Sequence, residues 1–222
     1  MGLSCLGFAA DWVFGENGGT QGAGIGDTVG MASQPIPHLT PEHYLELERL
    51  VPEKHEYIDG DMVAMSGGSP VHSRIAANLI RNLPLQKGGN CQIFTSDLRV
   101  SVHWSRLITY PDVTVVCGDP EFADAKLDTI TNPSLLVEVL SPSTESHDRG
   151  RKADLYRFIP SLREFLLIGQ SPVMIDHFRR MLDGTWQIVA LREMSDVLEL
   201  ESLACRFPVT EVYAGIESLK RR

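Results

Sequence analysis

Residues 135–140 read LLVEVL, which places one carboxylate, that of Glu138, among five apolar side chains. A short run that is apolar on both faces is typical of a central β-strand covered by helices. Burying an unpaired carboxylate in such a strand costs on the order of several kcal/mol. We therefore expect Glu138 to be protonated, paired with a positive charge or bound to a cation.

Two further charged residues are expected to lie near Glu138. Asp112 follows Pro111 at the start of the preceding apolar strand, on the face opposite to Val113. Lys152 begins the inward face of the next helix, because apolar or aromatic side chains follow it at i+3, i+4 and i+7. Two acids and one lysine at the end of a sheet favour a site for metal-dependent phosphodiester hydrolysis.

Each of these three residues has a structural alternative. Asp112 is compatible with a turn aspartate that caps a strand end, and Glu138 with a structural ion pair to Arg99. Lys152 is compatible with a lysine at a helix end whose stem is buried while its ammonium stays in water. The metal-site interpretation is favoured because one inward ammonium beside two carboxylates satisfies both signs of charge.

Other residues are weaker candidates for the same site. Glu56, at the start of a predicted hairpin, is expected either to add a third carboxylate or to be a solvated strand-end acid. His72, at the edge of a glycine-rich turn, is expected to be a surface or capping histidine, with a substrate contact as the alternative. The mixed charge run at 148–151 is predicted to be a solvated helix face. Three residues are candidates for supporting positions around the site: Asp97, Arg99 and Tyr156.

The composition is that of an ordinary soluble globular domain, with 222 residues, 43% hydrophobic and 22% charged. No stretch approaches the roughly 20 uninterrupted apolar residues of a membrane span. The four scattered cysteines favour neither a zinc site nor a disulfide framework, and indicate a reducing cytoplasm. A net charge of -9 argues against a large basic face for nucleic acid, although a bound metal supplies positive charge locally.

Residues 1–30 differ in composition from the rest of the chain. They contain nine of the 19 glycines and three acids, but no lysine or arginine. They lack the basic start of a secretory signal, and Leu6 breaks the myristoylation pattern that Gly2 begins. We predict a flexible extension, or translated upstream sequence with Met31 as the true start, followed by a single domain over residues 31–222.

Hydrophobic periodicity, caps and turn residues predict the order helix, strands, helix, strands, which is typical of an α/β sandwich around one mixed sheet. A helix begins after Thr40 and runs through Leu50, and a second one ends near Pro84. A third runs from a cap at Ser143 or Thr144 to about Ile159. The predicted strands are 56–58 and 62–65 around a hairpin turn, then 91–102, 107–117, 134–140, 164–169, 173–180 and 185–192.

Several of these segments together resemble a known family. They are YPDV at 110–113, LVEVLSPST at 136–144, DRGRK at 148–152, and the earlier segments EYIDG at 56–60 and SPVH at 69–72. The chain resembles the Uma-two-type putative restriction endonuclease family of the PD-(D/E)XK nuclease superfamily over roughly residues 38–215. The resemblance implies a restriction-endonuclease-like fold, a mixed β-sheet flanked by helices, with metal bound at the strand ends.

The resemblance also implies roles for the residues. Asp112 matches the family's first acid and Glu138 its second, while the superfamily's lysine two residues later is Leu140 here. Family members resemble this sequence in that respect, and the resemblance implies that Lys152, on the following helix, takes the role of the missing lysine. With the backbone carbonyl of Val139, the two acids offer the hard oxygen ligands that Mg²⁺ or Mn²⁺ prefers, and DNA is the implied substrate. A homodimer is expected from the enzyme class, because two strands are cut.

Two rival functions remain open from the sequence. The first is a catalytically inactive nuclease-fold scaffold or binding module, which the acidic charge and the displaced lysine favour. The second is a glycosidase with paired carboxylates, which a lysine in a buried strand-end site disfavours.

Overall fold

The computed structural model describes residues 38–83, 90–104, 106–142 and 144–219. Its first element is helix α1, Pro41–Glu48, which begins at the N-cap Thr40. The Thr40 side chain accepts a hydrogen bond from the backbone N–H of His43, and proline occupies the first helical turn. The predicted helix is thus confirmed at its start, and it ends two residues before Leu50.

Thirteen strands lie in the described part of the chain. They are β1 (His55–Ile58), β2 (Asp61–Ala64), β3 (Cys91–Thr95), β4 (Arg99–His103), β5 (Leu107–Thr109), β6 (Val113–Cys117), β7 (Thr129–Ile130), β8 (Leu135–Val139), β9 (Glu164–Ile168), β10 (Ile175–Arg180), β11 (Trp186–Leu191), β12 (Val197–Leu200) and β13 (Cys205–Pro208).

These strands form three sheets. The largest has the order β11-β10-β9-β8-β6-β3, in which β8 pairs parallel with β9 and antiparallel with β6. The second has the order β2-β1-β5-β4-β7, and the third consists of β12 and β13. The mixed α/β class is therefore confirmed, whereas the expectation of one sheet is wrong.

Helices flank these sheets. Helix α2, Pro70–Asn82, starts at the N-cap Ser69. A helical segment spans Glu145–Tyr156 and comprises α3 (Glu145–His147), a π-helical turn (Asp148–Lys152) and α4 (Ala153–Tyr156). A short helix α5, Val209–Val212, follows β13.

The central strand β8 is buried along its whole length, as its sequence predicts. Val137 and Val139 belong to the apolar core that includes α2. Leu136 and the adjoining Leu140 belong to the core on the other face, together with Tyr156. The predicted alternation is therefore confirmed, and Glu138 lies on the same face as Leu136.

Several boundaries differ from the predictions for local reasons. The predicted strands 91–102 and 107–117 each divide in two, the first at a turn around residues 96–98. The third helix ends at Tyr156 instead of Ile159, and Thr144 makes no side-chain capping bond. Ser143 and the extension at residues 1–30 lie outside the described residues, and the single domain over 31–222 stays a prediction. Strands β12 and β13 were not predicted from the sequence.

The expectation that the cysteines stay unpaired is wrong. Strands β3 and β6 pair with Cys91 directly opposite Cys117, and the two sulfurs form a disulfide. Directly opposed residues of antiparallel strands bring their Cβ atoms close together, which is the reason for this pairing. The cytoplasmic location inferred from unpaired cysteines loses that support and stays a prediction. No helix among the described residues is long and apolar enough to cross a membrane.

Candidate active site

The ammonium of Lys152 lies at the centre of a cluster of three carboxylates. Its Nζ atom is 2.7 Å from Glu56 Oε1, 3.2 Å from Asp148 Oδ1 and 3.3 Å from Glu138 Oε1. All four side chains are buried, and Lys152 is only 4% exposed. Lys152 is therefore turned inward, and the alternative of a lysine whose ammonium reaches water is wrong.

Three separate elements bring this cluster together. Strand β8 supplies Glu138, and β1 supplies Glu56 because it pairs with β5 in the neighbouring sheet. The π-helical turn supplies both Asp148 and Lys152, four residues apart. The helical segment bends within this turn at Gly150, whose backbone is not helical.

Hydroxyl groups complete the contacts of the two glutamates. Tyr156, one helical turn after Lys152, donates its phenol O–H to Glu138 Oε1. Thr109, at the end of β5, donates its hydroxyl to Glu56 Oε1. Tyr156 thus occupies the supporting position that was predicted for it.

Asp112 lies at the same end of the sheet. Strands β6 and β8 pair with Val113 opposite Val137, so the residue before β6 lies across from Glu138. Asp112 Oδ2 accepts a hydrogen bond of 2.7 Å from the Val139 N–H and is 3.1 Å from Nε2 of His72. Both side chains of the His72–Asp112 pair are largely buried, so His72 is not the surface histidine that was expected.

The charges of this cluster are unbalanced. Burial raises the pKa of Glu138 to about 8 against the attraction of Lys152, and the nearby Asp148, Asp112 and Glu56 raise it further. Burial disfavours ionisation of Glu56 as well, but Lys152 outweighs it and lowers the pKa of Glu56. Burial alone would lower the pKa of Lys152, yet the three carboxylates raise it well above its ordinary value. One ammonium therefore faces more negative charge than it neutralises.

Other predictions for the site are corrected by the structure. Arg99 pairs with Asp128, so the structural ion pair between Arg99 and Glu138 is not formed. Asp97 is an exposed residue that pairs with Lys54, away from the Lys152 cluster. Asp148 was placed on a solvated face, but it is 4% exposed and contacts Lys152.

Sequence reasoning missed two residues near Lys152. Asp148 precedes Lys152 by four residues, so the helical spacing that turns Lys152 inward also turns Asp148 inward. His147 acts electrostatically on Glu56, and its Nε2 atom is buried without a hydrogen-bond partner among the described residues. No sequence pattern pointed to His147, because its burial depends on how the helical segment packs.

The donor set fits a hard divalent cation. Among the described residues, no three His, Cys, Asp or Glu side chains are arranged as a ready-made metal cage. Mg²⁺ does not need such a cage, because it is usually held by one or two carboxylates, with waters and substrate phosphate as its other ligands. Asp112 and Glu138 lie opposite each other at the strand ends and would supply those carboxylates, and a buried acid with a raised pKa is one that a cation stabilises.

The fold defines the class of protein: a mixed α/β protein in which helices flank the β-sheets. Its described residues are similar to the crystal structure of a putative nuclease belonging to DUF820 from Anabaena variabilis, with a TM-score of 0.65 and 16% identity. The match covers 79% of this chain and 98% of that chain, and at this identity it shows the fold alone.

The family follows from the sequence comparison. Residues 41–210 match the model of the Uma2 family, described as "Putative restriction endonuclease", and the chain belongs to this family. Two uncharacterized proteins of Synechocystis sp. are similar over most of their length. Slr1290 is 44% identical over 83% of this chain and 96% of its own, and sll1609 is 39% identical over 73% and 92%.

Proposed function

We propose that this protein is a Mg²⁺- or Mn²⁺-dependent endonuclease that hydrolyses phosphodiester bonds of DNA. The observation that carries the proposal is the buried cluster in which Glu56, Glu138 and Asp148 share the single ammonium of Lys152. Asp112 adds a fourth carboxylate at the same strand ends. This excess of buried negative charge is suited to a divalent cation, and membership of a family of restriction-endonuclease-like proteins supports DNA as the substrate.

Asp112, Glu138 and the backbone carbonyl of Val139 would hold the ion, with Glu56 as an additional ligand. When bound, such an ion acidifies a water molecule and polarises the phosphoryl oxygens. The Asp112 carboxylate is fixed by the Val139 N–H on one side and by His72 on the other. Tyr156 fixes Glu138 in the same way. These three contacts hold the two acids in place, so little rearrangement is needed on binding.

Lys152 acts as a fixed positive charge in this proposal. Because the carboxylates raise its pKa well above its ordinary value, Lys152 stays protonated at neutral pH and does not abstract a proton from water. Its ammonium would offset the charge that develops on the phosphoryl oxygens. Glu138, with a pKa of about 8, is the group of the cluster that exchanges a proton near neutral pH.

The alternative is a catalytically inactive scaffold that keeps the nuclease fold. One observation favours it: Lys152 is enclosed by three carboxylates and is almost entirely buried, as in a structural core. The cleavage of both DNA strands would use a homodimer with one site per protomer, and this also belongs to the proposal.

Cleavage of a supercoiled plasmid tests the proposal. We expect wild-type protein to cut in Mg²⁺ or Mn²⁺ but not in EDTA, and Asp112→Asn and Glu138→Gln to lose at least about 100-fold in rate. Their thermal stability without metal should stay level or rise, because each variant removes an acid from a buried group of carboxylates that holds more negative charge than Lys152 neutralises. Glu199→Gln, an exposed acid of β12, is the matched control. A wild type that neither cuts nor binds a divalent ion, with both variants strongly destabilised, would support the scaffold.

A further inference from the structure

A groove of about 650 Å³ opens beside the turn that carries Lys152, on its outer side. Three arginines line it, together with one acid and one aromatic side chain: Arg106, Arg151, Arg157, Asp154 and Phe158. We refer to it as the arginine groove. Gly150 and Arg151 face this groove, while their neighbours Asp148 and Lys152 in the same turn face the acidic cluster.

The arginine groove keeps a positive charge of its own. Arg106 and Arg151 share one carboxylate, that of Asp59, and Arg157 is 3.5 Å from Asp154. Three guanidinium groups therefore face two carboxylates in a chain whose net charge is -9. The fixed fork of a guanidinium, with N–H donors left over, is suited to phosphate oxygens.

Phe158 adds a second, different kind of contact. Its side chain is 67% exposed beside the three guanidinium groups, although Phe is usually buried in the core. Exposed aromatic rings beside basic groups form stacking platforms for unpaired bases in proteins that bind single strands. A base within a duplex does not offer its face to such a ring.

We propose that the arginine groove binds the sugar-phosphate backbone of a nucleic-acid strand and that Phe158 stacks on an unpaired base of that strand. This inference rests on the proposed function and adds a substrate preference to it: DNA that is single-stranded or opened beside the bond that is cut. The net charge of -9 argues against nucleic-acid binding, but the arginine groove gives this acidic protein a local basic surface for the substrate.

The spacing between the groove and the acidic cluster matches this use. In the first hairpin, Glu56 contacts Lys152 in the cluster and Asp59 contacts Arg151 in the groove, three residues further along. Three residues span at most about 10 Å, and Asp59 lies in the hairpin turn that follows β1. A strand bound at the cluster would therefore reach the groove within a few nucleotides.

Fluorescence anisotropy in EDTA tests binding separately from cleavage. The probes are a 20-nucleotide single strand and a duplex of the same sequence, with the full chain as the protein. We expect tighter binding of the single strand, and Phe158→Ala should weaken it on the order of 10-fold with a much smaller effect on the duplex. Arg151→Gln should weaken both probes and reduce the slope of log K against log salt by about 0.7 to 0.9. Leu182→Ala and Arg206→Gln, at exposed positions away from the groove, are the matched controls.

The outcomes separate this inference from the proposed function. If the wild type binds the single strand through Phe158 and Arg151 but does not cut DNA, the groove assignment holds and the nuclease proposal fails. If the wild type cuts DNA while both groove variants bind and cut as well as the controls do, the groove assignment is overturned. Binding of a polyglutamate peptide that survives Phe158→Ala, without binding of either oligonucleotide, would overturn it in favour of an acidic protein partner.

Discussion

The Glu138→Gln variant should be more stable than the wild type at alkaline pH, and this difference in stability should shrink as the pH falls to acidic values. The pKa of Glu138 is raised from its ordinary 4.5 to about 8, chiefly by burial. Below pH 4.5 the carboxyl is protonated in both the folded and the unfolded protein, and it contributes no pH dependence. Between pH 4.5 and 8 the folded state keeps a proton that the unfolded state has lost, so the free energy of unfolding falls as pH rises.

The magnitude follows from the size of the shift. One pKa unit corresponds to about 1.4 kcal/mol, so the wild type should lose roughly 3 to 4 kcal/mol relative to Glu138→Gln between pH 5 and pH 8. This is a large share of the 5–15 kcal/mol that stabilises a typical domain. Urea denaturation of both proteins in EDTA at several pH values measures this difference.

A second buried glutamate supplies the control. Glu164 accepts hydrogen bonds from His177 and Ser202, and although burial opposes ionisation, these contacts lower its pKa. Glu164→Gln should therefore be destabilising near neutral pH, with the dependence on pH confined to the acidic side of 4.5. If the wild type and Glu138→Gln gave parallel stability profiles from pH 5 to 8, the assignment of a strained acid at Glu138 would be wrong.

Three further predictions follow from other contacts. Lys152→Met leaves three buried carboxylates without their cation and should cost about 3 to 5 kcal/mol at pH 8, with less loss at pH 5; chemical denaturation at both values checks it. The double variant Cys91→Ser with Cys117→Ser opens a loop of 26 residues and should lower the free energy of unfolding by about 3 kcal/mol, whereas Cys205→Ser should not; equal losses would argue against the disulfide. Gly60→Ala places a side chain at a positive φ of 100° and against His38, so it should lower the melting temperature and the cleavage rate together, because this hairpin carries Glu56.

Local patterns were sufficient to predict the centre of the candidate site. An acid in an apolar strand and a lysine at the start of an apolar helix stripe both depend on periodicity within one element. The prediction for Glu138 and Lys152 therefore needed no knowledge of which elements pack together. The i, i+4 relation between Asp148 and Lys152 was equally local and was overlooked, because the surrounding arginines made the run look solvated.

Features that depend on pairing between distant elements could not be read from the sequence. Glu56 reaches Lys152 only because β1 pairs with β5, and Cys91 meets Cys117 only through the register of β3 with β6. The division into three sheets has the same origin, since it depends on which strands become neighbours. The contact between His72 and Asp112 depends on how α2 packs across the strand ends.

Calorimetric titration of the metal-free protein with Mn²⁺ or Mg²⁺ at pH 7, in two buffers of different ionisation enthalpy, tests the central claim most directly. We predict saturable binding of the ion with release of close to one proton, because Glu138 is largely protonated at that pH until a cation displaces its proton. Glu138→Gln should bind at least about tenfold more weakly and release no proton. Saturable binding that is the same in Glu138→Gln, or no binding by the wild type, would contradict a metal-dependent site at the end of β8.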